Sequence, residues 1–113
     1  MSDCLFCKII ASEIPATVID AGELVMLADI NPQAPLHMLI IPKRHISTLN
    51  DLTSDDDQLV GSMFRLAAST AQKHGYGERG YRTVFNCNRE AGQSVFHIHL
   101  HLLAGRGLNW PPG

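Results

Sequence analysis

His97, His99 and His101 recur at every second position of the run Ser94 to Leu103, so half of the six histidines of this 113-residue chain stand in one row. An imidazole near neutral pH can act as nucleophile, proton carrier or metal ligand. The intervening Phe96, Ile98, Leu100 and Leu102 are apolar. Alternation of this kind predicts a β-strand over the run, with the apolar set in a core and the three histidines sharing the opposite surface. Each two-residue step advances about 6.6 Å, which leaves the outer pair about 13 Å apart at the backbone. Neighbours in the row can share one phosphate or one metal, but three rings cannot meet at a point without unusual twist. A division of labour is expected. Near the other end, Cys4 and Cys7 have the spacing of half a tetrahedral zinc site, which needs two further ligands. The competing reading is a pair of ordinary thiols, and a thioredoxin-like redox role is disfavoured because no βαβ pattern surrounds them.

The elements that must carry these residues are legible from periodicity and punctuation. Cys4 to Ala11 reads as a short helix ended before Pro15, Val18 to Asp20 and Leu24 to Ala28 as two strands turned at Ala21-Gly22, and Leu36 to Ile41 as a third strand stopped by Pro42. Prolines keep Asn31 to Pro35 out of regular structure. A long helix is expected from about Asp55 to His74, capped by Thr53 or Ser54 and stopped at Gly75, with Leu59, Val60, Met63, Phe64, Ala67 and Ala71 on its core face. Tyr81 to Cys87 makes a fourth strand, and Asn88 to Gln93 a loop returning the chain to the histidine strand. With no βαβ alternation, the class is α+β: an antiparallel sheet of about five strands with one long and one short helix.

A chain of this size holds one domain, residues 1–113. Apolar residues make up 45% and the formal charge is −2, a balance that points to neither a nucleic acid nor a membrane as partner. No apolar stretch is long enough to span a bilayer, and Met1-Ser2-Asp3-Cys4 has an acid where a signal peptide needs a basic flank, so a cytoplasmic location is expected. A stable disulfide is not expected in that compartment.

The run His97-Ile98-His99-Leu100-His101-Leu102-Leu103, preceded by Gly92-Gln93-Ser94 and followed by Gly105-Arg106, resembles the signature of the histidine triad superfamily. Asp29-Ile30, Pro32 to Pro35, His37, Ile41-Pro42-Lys43 and the ending Trp110 to Gly113 resemble its branch of histidine triad nucleotide-binding proteins. The resemblance runs from about Phe6 to the last residue. It implies the histidine triad fold, a homodimer, and hydrolysis of the P–N bond of purine nucleoside 5′-phosphoramidates through a covalent nucleotidyl-histidine. It also implies binding of purine nucleoside monophosphates. His99 would be the nucleophile, its Nδ1–H held by a backbone carbonyl, with His101 stabilising charge and donating a proton, and His37 supporting the pair. Ser94, Asn86 and the backbone amides of Gly92 and Gln93 would donate to the phosphate. Asp29 would bind the ribose, and Ile30, Phe6, Ile9, Ile14, Leu27 and Leu39 would form the base pocket. No cofactor is required for the reaction, but some relatives complete a structural zinc site with the counterparts of His45 and His97, alongside Cys4 and Cys7. Two other functions stay open: a dinucleoside polyphosphate hydrolase using the same nucleophile, and a nucleotide- or zinc-binding interaction module whose turnover is incidental.

Overall fold

A computed structural model describes residues 3–113. Met1-Ser2, part of the flank that lacks a signal peptide's basic residues and of the expected domain 1–113, lies outside the described residues. A short helix α1 (Leu5–Ile10) precedes the strands β1 (Ile19–Ala21), β2 (Leu24–Ala28) and β3 (Leu36–Pro42); the long helix α2 (Asp57–Lys73) precedes β4 (Tyr81–Val84) and β5 (Leu100–Ala104). The five strands form one sheet in the order β1-β2-β3-β5-β4, every neighbouring pair antiparallel.

Alternation along β2 and β3 sorts side chains to two faces, both covered. Met26, Ile40, Leu100 and Leu102 pack with Leu59, Met63, Ala67 and Ala71 of α2, while Val25, Leu27, Leu39 and Ile41 pack with Phe6 on the far side. The second face is the histidine face, since Leu39 pairs with His101 and His37 with Leu103. It is therefore no solvated surface: α1 lies over it.

Four local expectations are corrected. The predicted strand over 94–103 begins only at Leu100. The carbonyl of His97 accepts from the ring of His99, and the Gln93 side chain holds Val95 and Ser47, so side chains take the backbone groups a ladder would have used. Phe96, assigned to the core, is consequently 47% exposed. On α2, Phe64 is also exposed and meets Phe85 edge-on, and Val60 is only partly buried. Finally, Thr53 caps a 3-10 turn, Ser54–Asp56, in a capping box with Asp56; the α-helix starts after it. At its other end Gly75, at φ +84°, stops α2 as expected.

Candidate active site

The loop 93–99 and the first residues of β5 bring His97, His99 and His101 onto the face under α1. Phe6 meets the His99 ring edge-on at 5.0 Å and the His97 ring at 6.1 Å, and His99 lies 5.2 Å from His101 between ring centroids. Burial pushes the pKa of all three down, because a charged ring there would lose its hydration. For His97 the Pro42 carbonyl opposes that shift, and for His99 the His97 carbonyl does. For His101 the neighbouring His99 and His37 add to burial, and the value falls to about 4.

Backbone groups assign the protons. A carbonyl only accepts, so the 2.8 Å contact from His99 Nδ1 to the His97 oxygen places the proton on Nδ1 and leaves a lone pair on Nε2. His37 is the reverse case: its Nδ1 accepts from the amide of Gln33 at 3.0 Å, so the neutral ring carries its proton on Nε2. That nitrogen stands 2.9 Å from His101 Nδ1 and 3.4 Å from Asp29 Oδ2. His101 Nδ1 therefore accepts, and His101 in turn is protonated on Nε2. Asp29, His37 and His101 also have the proximity of a cation site. The Gln33 amide speaks against that use, because by donating to Nδ1 of His37 it keeps the ring proton on Nε2, the nitrogen a metal would need.

A second cluster joins the two cysteines to the sheet. His97 Nε2 donates to the Pro42 carbonyl at 2.7 Å, which leaves Nδ1 as a lone pair facing Cys4 Sγ at 3.4 Å, Cys7 Sγ at 3.5 Å and His45 Nδ1 at 3.2 Å; Cys7 Sγ to His45 Nδ1 is 3.2 Å. A zinc ion with tetrahedral S₂N₂ ligation has donor separations of about 3.3–3.8 Å, so the set fits that ion with little movement. The carbonyl behind His97 and Ser47 Oγ, 3.1 Å from His45 Nε2, orient the two rings.

Other expected site residues are placed less simply. The amides of Gly92 and Gln93, expected at the phosphate, donate to the carbonyls of Arg89 and Asn88 and close the turn instead. The Gln93 side chain is buried and pins that turn through the Asn88 amide. Ser94 is exposed and lines a groove with Cys4, His45 and Phe96. Asn86 is half-buried just beyond β4. Asp29 directs Oδ2 at the histidine pair and accepts from the Asn31 amide through Oδ1. Phe6, Ile9, Leu27 and Leu39 cluster, and Ile14 is half-buried after α1. Ile30 is 98% exposed and lies outside that cluster. Gln33, Pro42 and Ser47 orient the histidine rings, a role their residue types do not announce. The first two act through backbone atoms, which residue type does not reveal.

Known proteins resemble this chain in sequence and in fold. The family described as scavenger mRNA decapping enzyme C-term binding matches residues 3–107. A purine nucleoside phosphoramidase from Escherichia coli (strain K12) is 48% identical over 105 residues, covering 92% of this chain and 88% of the relative. Among solved structures, a HIT (histidine triad) family hydrolase from Legionella pneumophila Philadelphia 1 is 54% identical with a TM-score of 0.95, over 98% of this chain and 100% of that chain. A histidine triad nucleotide-binding protein from Candida albicans is 32% identical with a TM-score of 0.80, over 96% and 83%.

Proposed function

From the premise that this chain belongs to the histidine triad family of hydrolases, we propose that it cleaves the P–N bond of purine nucleoside 5′-phosphoramidates through a nucleotidyl-His99 intermediate. The observation that carries the reading is the complementary protonation of neighbouring rings, a free Nε2 lone pair on His99 and an Nε2–H on His101. In the first step His99 Nε2 bonds to phosphorus and the P–N bond breaks. Binding of the anionic phosphoryl group raises the proton affinity of the His101–His37 pair; one proton taken up there passes to the leaving nitrogen, which departs as the neutral amine. In the second step water attacks phosphorus, its proton goes to the same pair, and the monophosphate leaves His99. The His97 carbonyl steadies the positive charge that His99 carries in the intermediate. Ser94 and Asn86 would add donors at the phosphoryl oxygens, Asp29 would take the ribose, and Phe6, Ile9, Leu27 and Leu39 would line the base.

Two further assignments belong to this reading. Cys4, Cys7, His45 and His97 would hold a structural zinc ion that ties α1 to the sheet, with no part in the reaction. The protein would act as a homodimer; in support, β4 is an edge strand and Phe64 and Phe85 form an aromatic pair beside it.

The test is to quench a reaction with an adenosine 5′-phosphoramidate and search by mass spectrometry for an adenylylated peptide containing His99. His99→Ala should lose turnover by at least about 10³-fold while retaining AMP binding. Activity in that variant, or turnover with no adduct under any quench, rules the mechanism out. Diadenosine triphosphate assayed in parallel separates the dinucleoside polyphosphate alternative.

A further inference from the structure

Where β4 begins and β5 ends, Arg79, Arg82 and Arg106 line one pocket with Gly80, Gly107 and Leu108. Three of the chain's six arginines thus converge although the net charge is −2. Among the described residues none of the three lies within ion-pair distance of a carboxylate; the arginine that does is Arg44, paired with Asp56. They are oriented by other means. Arg82 Nη2 donates to the carbonyls of Leu108 and Asn109 at 3.2 and 3.1 Å, Arg106 donates from Nε to Gln33 at 2.8 Å and from Nη1 to Gly107 at 2.9 Å, and Arg79 stacks over Tyr76 at 5.1 Å. Carbonyl dipoles and an aromatic face position a guanidinium without cancelling its charge. Three pre-positioned guanidiniums with no carboxylate at ion-pair distance repel one another and favour an oxyanion, which the N–H groups not engaged by carbonyls can meet.

The pocket adjoins the histidine face. Arg82 and His37 flank Leu103 from opposite sides, and Val84, two residues beyond Arg82, pairs with His101. One strand across and two residues along is a backbone distance of about 8 Å between Arg82 and His101. The Gln33 residue that accepts from Arg106 is the one whose amide sets the His37 tautomer.

We propose that this pocket is a subsite for an oxyanion, a carboxylate or phosphate group, carried on the amine half of the substrate; the assignment to the amine half rests on the phosphoramidase reading above. The experiment compares adenosine 5′-phosphoramidates of β-alanine and of propylamine, similar in size and differing in charge. Wild type should favour the anionic substrate about tenfold in kcat/KM. Arg79→Gln should remove most of that preference without changing the rate on the propylamine substrate or the melting temperature, Arg79→Lys should restore part of it, and Arg65→Gln, on α2, should change nothing. Equal rates on the two substrates, or equal loss on both in Arg79→Gln, overturns the proposal. If wild type cleaves neither, the phosphoramidase reading fails instead, and calorimetry with inorganic phosphate decides the subsite: binding that Arg79→Gln abolishes supports an oxyanion site, and no binding to wild type overturns it.

Discussion

At the scale of single residues, the protein separates three chemically identical side chains by the backbone atom each one faces. The carbonyl of Pro42 turns the Nδ1 of His97 toward the cysteines, and the carbonyl of His97 leaves Nε2 of His99 free. The Gln33 amide, acting through His37, puts the proton of His101 on Nε2. Nitrogen-15 NMR of the imidazoles should accordingly show His99 as the Nδ1–H form and His101 as the Nε2–H form. The His101 ring should titrate with a midpoint near 4, well below the ordinary 6.5. The same shift has a sign for stability. Between pH 6.5 and about 4 the unfolded chain binds a proton at this ring and the folded chain does not, so the contribution of His101 is complete above pH 6.5 and is lost progressively as the pH falls to about 4. Urea unfolding at a series of pH values, wild type against His101→Asn, should show the variant losing less stability across that interval. Parallel slopes would contradict it.

Among the elements, α1, shorter than α2, is the one that changes the character of the site. Phe6, its buried residue, touches both His97 and His99 edge-on and joins the apolar cluster of Val25, Leu27, Leu39 and Ile41. Phe6→Ala removes a nearly fully buried ring from a layer with few other residues to close the gap, at a cost of about 3 kcal/mol. Urea denaturation should register that loss. Turnover should fall as well, because water reaching His99 would relieve the burial that keeps its ring neutral. A variant as stable and active as wild type would show that α1 is dispensable to the site. The long helix is simpler. Leu59, Met63, Ala67 and Ala71 sit on the sheet as their spacing predicts, whereas Phe64, one position round the helix from Met63, faces out toward Phe85.

For the whole molecule, the cysteine cluster links α1 to the loop that leads into β5. Cys4 and Cys7 meet His97 across 93 and 90 positions of sequence. A zinc ion there would close that long loop, and its binding energy would add to folding stability. Protein purified without added metal should contain about one zinc per chain. Removing it with a chelator, or changing Cys7→Ser, should lower the melting temperature and free α1, measured as faster amide hydrogen exchange over Leu5–Ile10. Metal-free protein with reduced thiols and unaltered stability would refute the assignment.

The sequence alone determined the elements and the candidate chemistry. The bounds of β2 are as read, β3 and α2 differ by a residue or two at their ends, β4 stops at Val84 although the sequence predicts a strand as far as Cys87, and the alternation of Leu100 and Leu102 with His101 places that ring on the face opposite α2. Local periodicity carries this information, because a residue's face depends on its neighbours in the chain. Tertiary structure alone decided what each histidine is for. It turned the supposed strand at Phe96 into a loop, closed the amides of Gly92 and Gln93 into a turn, exposed Ile30, and drew Arg79, Arg82 and Arg106 together. Those outcomes depend on backbone carbonyls and amides brought from distant segments, which every residue possesses and which no pattern of side chains announces.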